Sequence, residues 1–108
     1  MADKIHLQIT TADGVVCDAM ASYALIPLTD GDVGVLADHA PMIGALNEGV
    51  VKYVSEGTDH FAAVSGGVLS VADNEVILLA RTAERAETID LARAQASERR
   101  ARQRIESR

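Results

Sequence analysis

The chain has 108 residues, 48% of them apolar, with no Trp and one Phe, so it is about one domain long, its core must be aliphatic, and it is not disordered as a whole. Its net charge of −6 is unevenly spread: residues 1–80 hold two lysines against eleven carboxylates, net −9, and residues 81–108 hold eight arginines against five carboxylates, net +3. An acidic body repels nucleic acid, and the Arg-rich end has no aromatic ring to stack on bases, which argues against a nucleic-acid role. No run approaches the roughly 18 apolar residues of a membrane helix, and Met1-Ala2-Asp3-Lys4 lacks the layout of a signal peptide, so a soluble cytoplasmic chain is expected.

The first eighty residues read as β. In Lys4 to Thr10, Ile5, Leu7 and Ile9 alternate with His6, Gln8 and Thr10, the period of a strand with one buried face. Thr11-Ala12-Asp13-Gly14 supplies a turn. A single cysteine, Cys17, excludes a disulfide framework and reads as a small buried apolar residue. A second apolar run spans Met20 to Leu28, with Pro27 at an edge or a strand end because it has no N–H to donate, and Thr29-Asp30-Gly31-Asp32 closes it. Short runs follow at residues 34–37, 43–46, 50–55, 61–65, 68–71 and 76–80, separated by turn formers such as Glu56-Gly57, Gly66-Gly67 and Asp73-Asn74. Gly66-Gly67 marks either a tight connection or close backbone packing. Many short strands at this spacing predict a sandwich or a barrel.

After Arg81 the pattern changes. From Thr88 to about Ser107 there is no Gly or Pro, and Ala, Arg, Glu and Gln dominate, which predicts a helix. Thr88 can cap it, Asp90 meets the positive end of its dipole, and Glu98 and Arg102 stand four apart in the favourable order. Its apolar side, Ile89, Ala92, Ala96, Ala101 and Ile105, is small, so the helix needs a partner surface. The boundary between the β body and this segment falls near residues 82–87.

A search for catalytic chemistry returns little. His6, His39 and His60 have no metal-ligand spacing, Ser65-Gly66-Gly67 lacks the glycine that precedes a nucleophilic elbow, and no Gly-Lys-Ser/Thr follows to make a phosphate loop. Glu84, Asp90 and Arg93 flank the junction. Asp90 and Arg93, three apart on one helix face, read as a surface ion pair, or as a ligand site in which Arg93 faces phosphates while the carboxylates accept from ribose or adenine. Residues 30–42, acidic turns beside Pro41-Met42, read either as backbone turn chemistry or as an interaction loop.

Three segments together carry a resemblance. Gly31-Asp32-Val33-Gly34-Val35-Leu36-Ala37-Asp38-His39-Ala40-Pro41-Met42, then Ala63 to Val71 around Ser65-Gly66-Gly67, then Thr82 to Ala94, resemble the epsilon subunit of bacterial F-type ATP synthase, called delta in mitochondria. The resemblance implies a flattened β-sandwich over residues 1–84 followed by a C-terminal α-helical segment over 85–108. It implies a non-catalytic rotor subunit of the central stalk at the cytoplasmic face of the bacterial inner membrane. Such a subunit bridges the gamma subunit and the membrane c ring, and couples proton translocation to ATP synthesis on the alpha and beta subunits. By position, Asp30, Asp32 and His39 match the turn region that faces the c ring. Relatives usually end in a two-helix hairpin, and some bind ATP there through an Ile-Asp-x-x-Arg-Ala motif, present as Ile89, Asp90, Arg93 and Ala94, with Glu84 matching a further contact. Only the first helix is represented here, so inhibition of hydrolysis is in doubt and ATP binding is expected to be weak or absent, with no other cofactor. The competing readings are a stand-alone nucleotide-sensing module built on Glu84, Asp90 and Arg93, and, less well supported, a small hydrolase.

Overall fold

The computed structural model describes residues 3–85. They form eight strands: β1 (Ile5–Thr11), β2 (Gly14–Ala21), β3 (Tyr23–Ile26), β4 (Val33–Val35), β5 (Met42–Leu46), β6 (Gly49–Ser55), β7 (Thr58–Ala72) and β8 (Glu75–Arg85). The helix expected from Thr88 lies outside the described residues.

The period-2 pattern of β1 folds as its spacing dictates, with Ile5, Leu7 and Ile9 fully buried and His6, Gln8 and Thr10 on the other face. Two of the sequence boundaries move. The expected run from Met20 to Leu28 is broken at Ser22, whose N–H donates to the Val54 carbonyl at 2.9 Å; its first part ends β2, a strand that begins at Gly14. The runs 61–65 and 68–71 are one fifteen-residue strand, because Gly66 (φ 64°) and Gly67 (φ 130°) bend β7 without ending it. Close packing explains Gly67: a Cβ there would collide with the Leu79 carbonyl oxygen.

That bend makes two layers out of one continuous ladder. Before it, β7 pairs with β6; beyond it, β7 pairs with β5. β8 follows β7 along both halves, and the pairing skips Gly66 and Arg81. The first layer therefore runs β2-β1-β8-β7-β5, with β1 parallel to β8, and the second runs β4-β3-β6-β7-β8. Leu7, Ile9, Leu69, Val71, Val76 and Leu78 of the first layer share one buried cluster with Ala24, Ile26, Val35, Val51, Ala62 and Val64 of the second, which is a β-sandwich, as the resemblance implied, where strand spacing alone left a barrel open. Cys17 is buried between them and adds a polar link, its S–H donating to Tyr53 Oη at 3.2 Å. Burial and this bond push the Tyr53 phenol up to about 12.

Candidate functional site

Pairing register fixes which side chains stand together on the outer face of the first layer. Ala45, Val68, Leu79, Thr10 and Val15 are successive partners across β5, β7, β8, β1 and β2. Val68, Leu79 and Val15 are exposed, and Ile43, in the adjoining row beside Ser70, Ile77 and Gln8, is 78% exposed. A row that is apolar on four of its five strands, with Thr10 on β1, is unusual on a solvated surface and marks an interaction face. The second layer differs. Its outer residues, among them Tyr23, Lys52, Asp59 and Glu84, are mixed in character, and of the large exposed apolar side chains of the described residues only Leu36, just past β4, adjoins it.

Further along the first layer the surface becomes charged. His6 Nε2 lies 2.7 Å from Asp18 Oδ1 and Nδ1 lies 2.9 Å from Glu75 Oε1, so one ring clasps β1 to both of its neighbours. The bonds to Asp18 and then Glu75 raise the His6 pKa above its usual 6.5, and the His6 bond lowers that of Asp18. Both ring nitrogens donate in the protonated form. Because they point at carboxylates on opposite sides of the ring, the three groups do not converge on one point. Nothing in the alternation of β1 identified this cluster, since its partners lie 12 and 69 residues away.

The residues singled out from sequence are placed on three elements. Asp30 and Asp32 stand in the β3–β4 connection, which is tied to β5 by the Thr29 N–H donating to the Ala45 carbonyl and the Leu28 to Leu46 bridge. His39 stands in a separate turn, residues 36–41, where its N–H donates to the Leu36 carbonyl and its Nδ1 meets the Ala40 carbonyl at 2.7 Å. This turn is bonded to Asn74. Glu84 is exposed on β8, opposite Ala63. Asp90 and Arg93 lie outside the described residues, so the trio expected for a nucleotide is represented by Glu84 alone. A cleft of about 430 Å³ at the β2 edge is lined by Lys4, Asp18, Tyr53, Glu56, His60 and Arg85 among others. Both signs of charge line it, which selects no ligand charge. Among the described residues no helix is long and apolar enough to cross a membrane.

A two-layer sandwich whose main surface feature is an apolar face rather than a convergent polar pocket defines a protein-binding subunit. The family described as "ATP synthase, Delta/Epsilon chain, beta-sandwich domain" matches residues 4–86. The ATP synthase epsilon chain of Carboxydothermus hydrogenoformans is 43% identical over 105 residues, covering 97% of this chain and 78% of that one. That of Pelotomaculum thermopropionicum is 44% identical over 106 residues, covering 97% and 79%. Among solved structures, a chain of the Euglena gracilis mitochondrial ATP synthase (OSCP/F1/c-ring) is similar with a TM-score of 0.75 at 26% identity, covering 94% of this chain and 66% of that one. A chain of the Tetrahymena thermophila mitochondrial ATP synthase central stalk and c-ring shares the fold, with a TM-score of 0.62 at 12% identity, covering 96% and 94%. The chain belongs to the ATP synthase delta/epsilon family. Within it, the chain is an epsilon-type subunit, a non-catalytic component of the enzyme.

Proposed function

We propose that this chain works in the central stalk of a bacterial F-type ATP synthase, on the cytoplasmic face of the membrane, holding the gamma subunit on one surface and meeting the c ring with its turns. The observation that carries this reading is the row Ala45-Val68-Leu79-Thr10-Val15, apolar but for Thr10, with Ile43 beside it. Covering such a face removes apolar area from water at about 25 cal/mol per Å², and the face needs a permanent occupant to stay soluble in the cell. Gamma is that occupant. Asp30, Asp32 and His39 then face the polar loops of the c ring. The chain contributes to synthesis on the alpha and beta subunits by transmitting rotation, and nucleotide binding at Glu84, Asp90 and Arg93 is weak or absent.

Size-exclusion chromatography with light scattering on the full chain and purified gamma tests the reading. A stoichiometric complex is expected, with affinity reduced at least about tenfold by Ile43→Asp combined with Leu79→Asp, a loss of about 1.4 kcal/mol. Undiminished affinity in that double variant would remove the apolar face from the interface.

A further inference from the structure

The turn that carries His39 is bonded to a residue of another element. Asn74 sits at the tip of the β7–β8 hairpin, where Asp73 and Asn74 both take positive φ, 53° and 64°. It bonds in three directions. Its carbonyl accepts the His6 N–H at 2.8 Å, its Oδ1 accepts the Asp38 N–H at 2.6 Å, and its Nδ2 donates to Asp38 Oδ1 at 3.3 Å. Asp38 itself has φ 68°, a left-handed conformation that side chains other than glycine adopt at a cost, and the reciprocal pair with Asn74 offsets it. The turn's own bonds, from the His39 N–H to Leu36 and between the His39 ring and Ala40, close it on itself between β4 and β5.

We propose that Asn74 is a positioning residue for coupling: its side chain latches the 36–41 turn to the β7–β8 hairpin and sets the angle at which His39 meets the c ring. The hairpin is a rigid mount, since Ala72 pairs with Glu75 directly beneath it and the Asn74 carbonyl ties it to β1. A push on the turn thereby reaches the sheet of the first layer through the Asp38 to Asn74 bonds instead of being absorbed by a loosely attached loop. The inference rests on the reading that the His39 turn faces the ring.

The test uses the assembled synthase in vesicles, reading protons pumped per ATP hydrolysed. Asn74→Gly keeps positive φ accessible and deletes both side-chain bonds, whereas Asp38→Asn keeps an oxygen acceptor for Asn74 Nδ2. Asn74→Gly is expected to lower the pumping ratio at least about twofold with gamma affinity and melting temperature of the full chain unchanged, and Asp38→Asn to leave the ratio near normal. His39→Ala separates the two levels of the argument. If His39→Ala lowers the ratio and Asn74→Gly does not, the latch is overturned and the ring-facing turn stands. If neither lowers it, the ring-facing reading falls and the latch with it. If Asn74→Gly lowers the ratio only in step with melting temperature or gamma binding, its role is structural and the proposal is overturned.

Discussion

The two layers of the sandwich share a core and two strands, yet their outer faces are built differently. The first layer exposes Val15, Ile43, Val68 and Leu79 on its strands, and no strand of the second exposes a side chain of that kind among the described residues, Leu36 lying just past β4. The inner faces of both alternate in the ordinary way, so folding alone asks for no such asymmetry. A surface that folding does not require is the surface to examine for assembly. The charge clasp at His6 sits on the same layer, one row beyond Ile77 and Gln8, which leaves the first layer with an apolar part and an ionic part on a single face.

The most severe way to break the comparison is to attack what the layers share. Gly67→Ala should destabilise the chain on the order of 3 kcal/mol, because the new Cβ meets the Leu79 carbonyl and a strained φ together. Thermal melting reads this directly. Gly66→Ala should cost less, since the group nearest its Cβ is the movable Arg81 guanidinium. Next, replacement of Ile43 and Leu79 by Asp should lower gamma affinity with little change in melting, because both side chains already face water. A third test concerns the ionic part. His6 has a raised pKa in the folded chain, so its contribution to stability is complete below about pH 6.5 and is lost as pH rises through the raised folded value. Asp18, whose pKa is lowered, contributes above about 3.8 and loses its contribution as pH falls through the lowered folded value. The melting difference between the natural chain and His6→Gln should therefore be greatest near pH 5 to 6 and shrink by pH 9; a difference independent of pH would show that the clasp is not ionic. The smallest effect is expected on the other layer, where Lys52 lies 3.8 Å from Asp59. Lys52→Ala should change neither gamma affinity nor, beyond about 0.5 kcal/mol, stability, as for other partly exposed pairs. Loss of gamma binding there would transfer the interface to the second layer.

How far the sequence revealed this arrangement depends on the range of the interaction. Ile5, Leu7 and Ile9 announced β1 because a strand's period is local, and Gly57, Asp73 and Asn74 announced turns because glycine, aspartate and asparagine tolerate positive φ. The start of β2 was missed: Val15 and Val16 precede Cys17 without alternation, and Val16 is left out of the ladder between Ile9–Cys17 and Thr10–Val15. Gly66-Gly67 carried the right signal of close packing but its consequence was tertiary, because only the position of Leu79 decides whether the strand turns back or bends through. The apolar face left a trace that could have been used. Val68-Leu69 and Leu78-Leu79 are apolar on both sides of the strand, as a strand covered on both faces would be, although one side here is open. The Asp38 to Asn74 latch left none, since the two residues are 36 apart and each is explained locally as a turn former.

One pairing also governs when the molecule can become itself. β1 is parallel to β8, so His6 meets a residue 69 positions later, and the first layer has a gap in its middle until β8 is available. During synthesis the β1–β2 hairpin and the β6–β7 hairpin have local partners and can form early, whereas β1 must wait with one edge unpaired until Glu75 to Leu79, its partners on β8, have left the ribosome. The apolar row that crosses β1 and β8 does not exist before that moment. A nascent chain thus presents no complete docking face, and assembly with a partner is deferred until nearly the entire sandwich has been made.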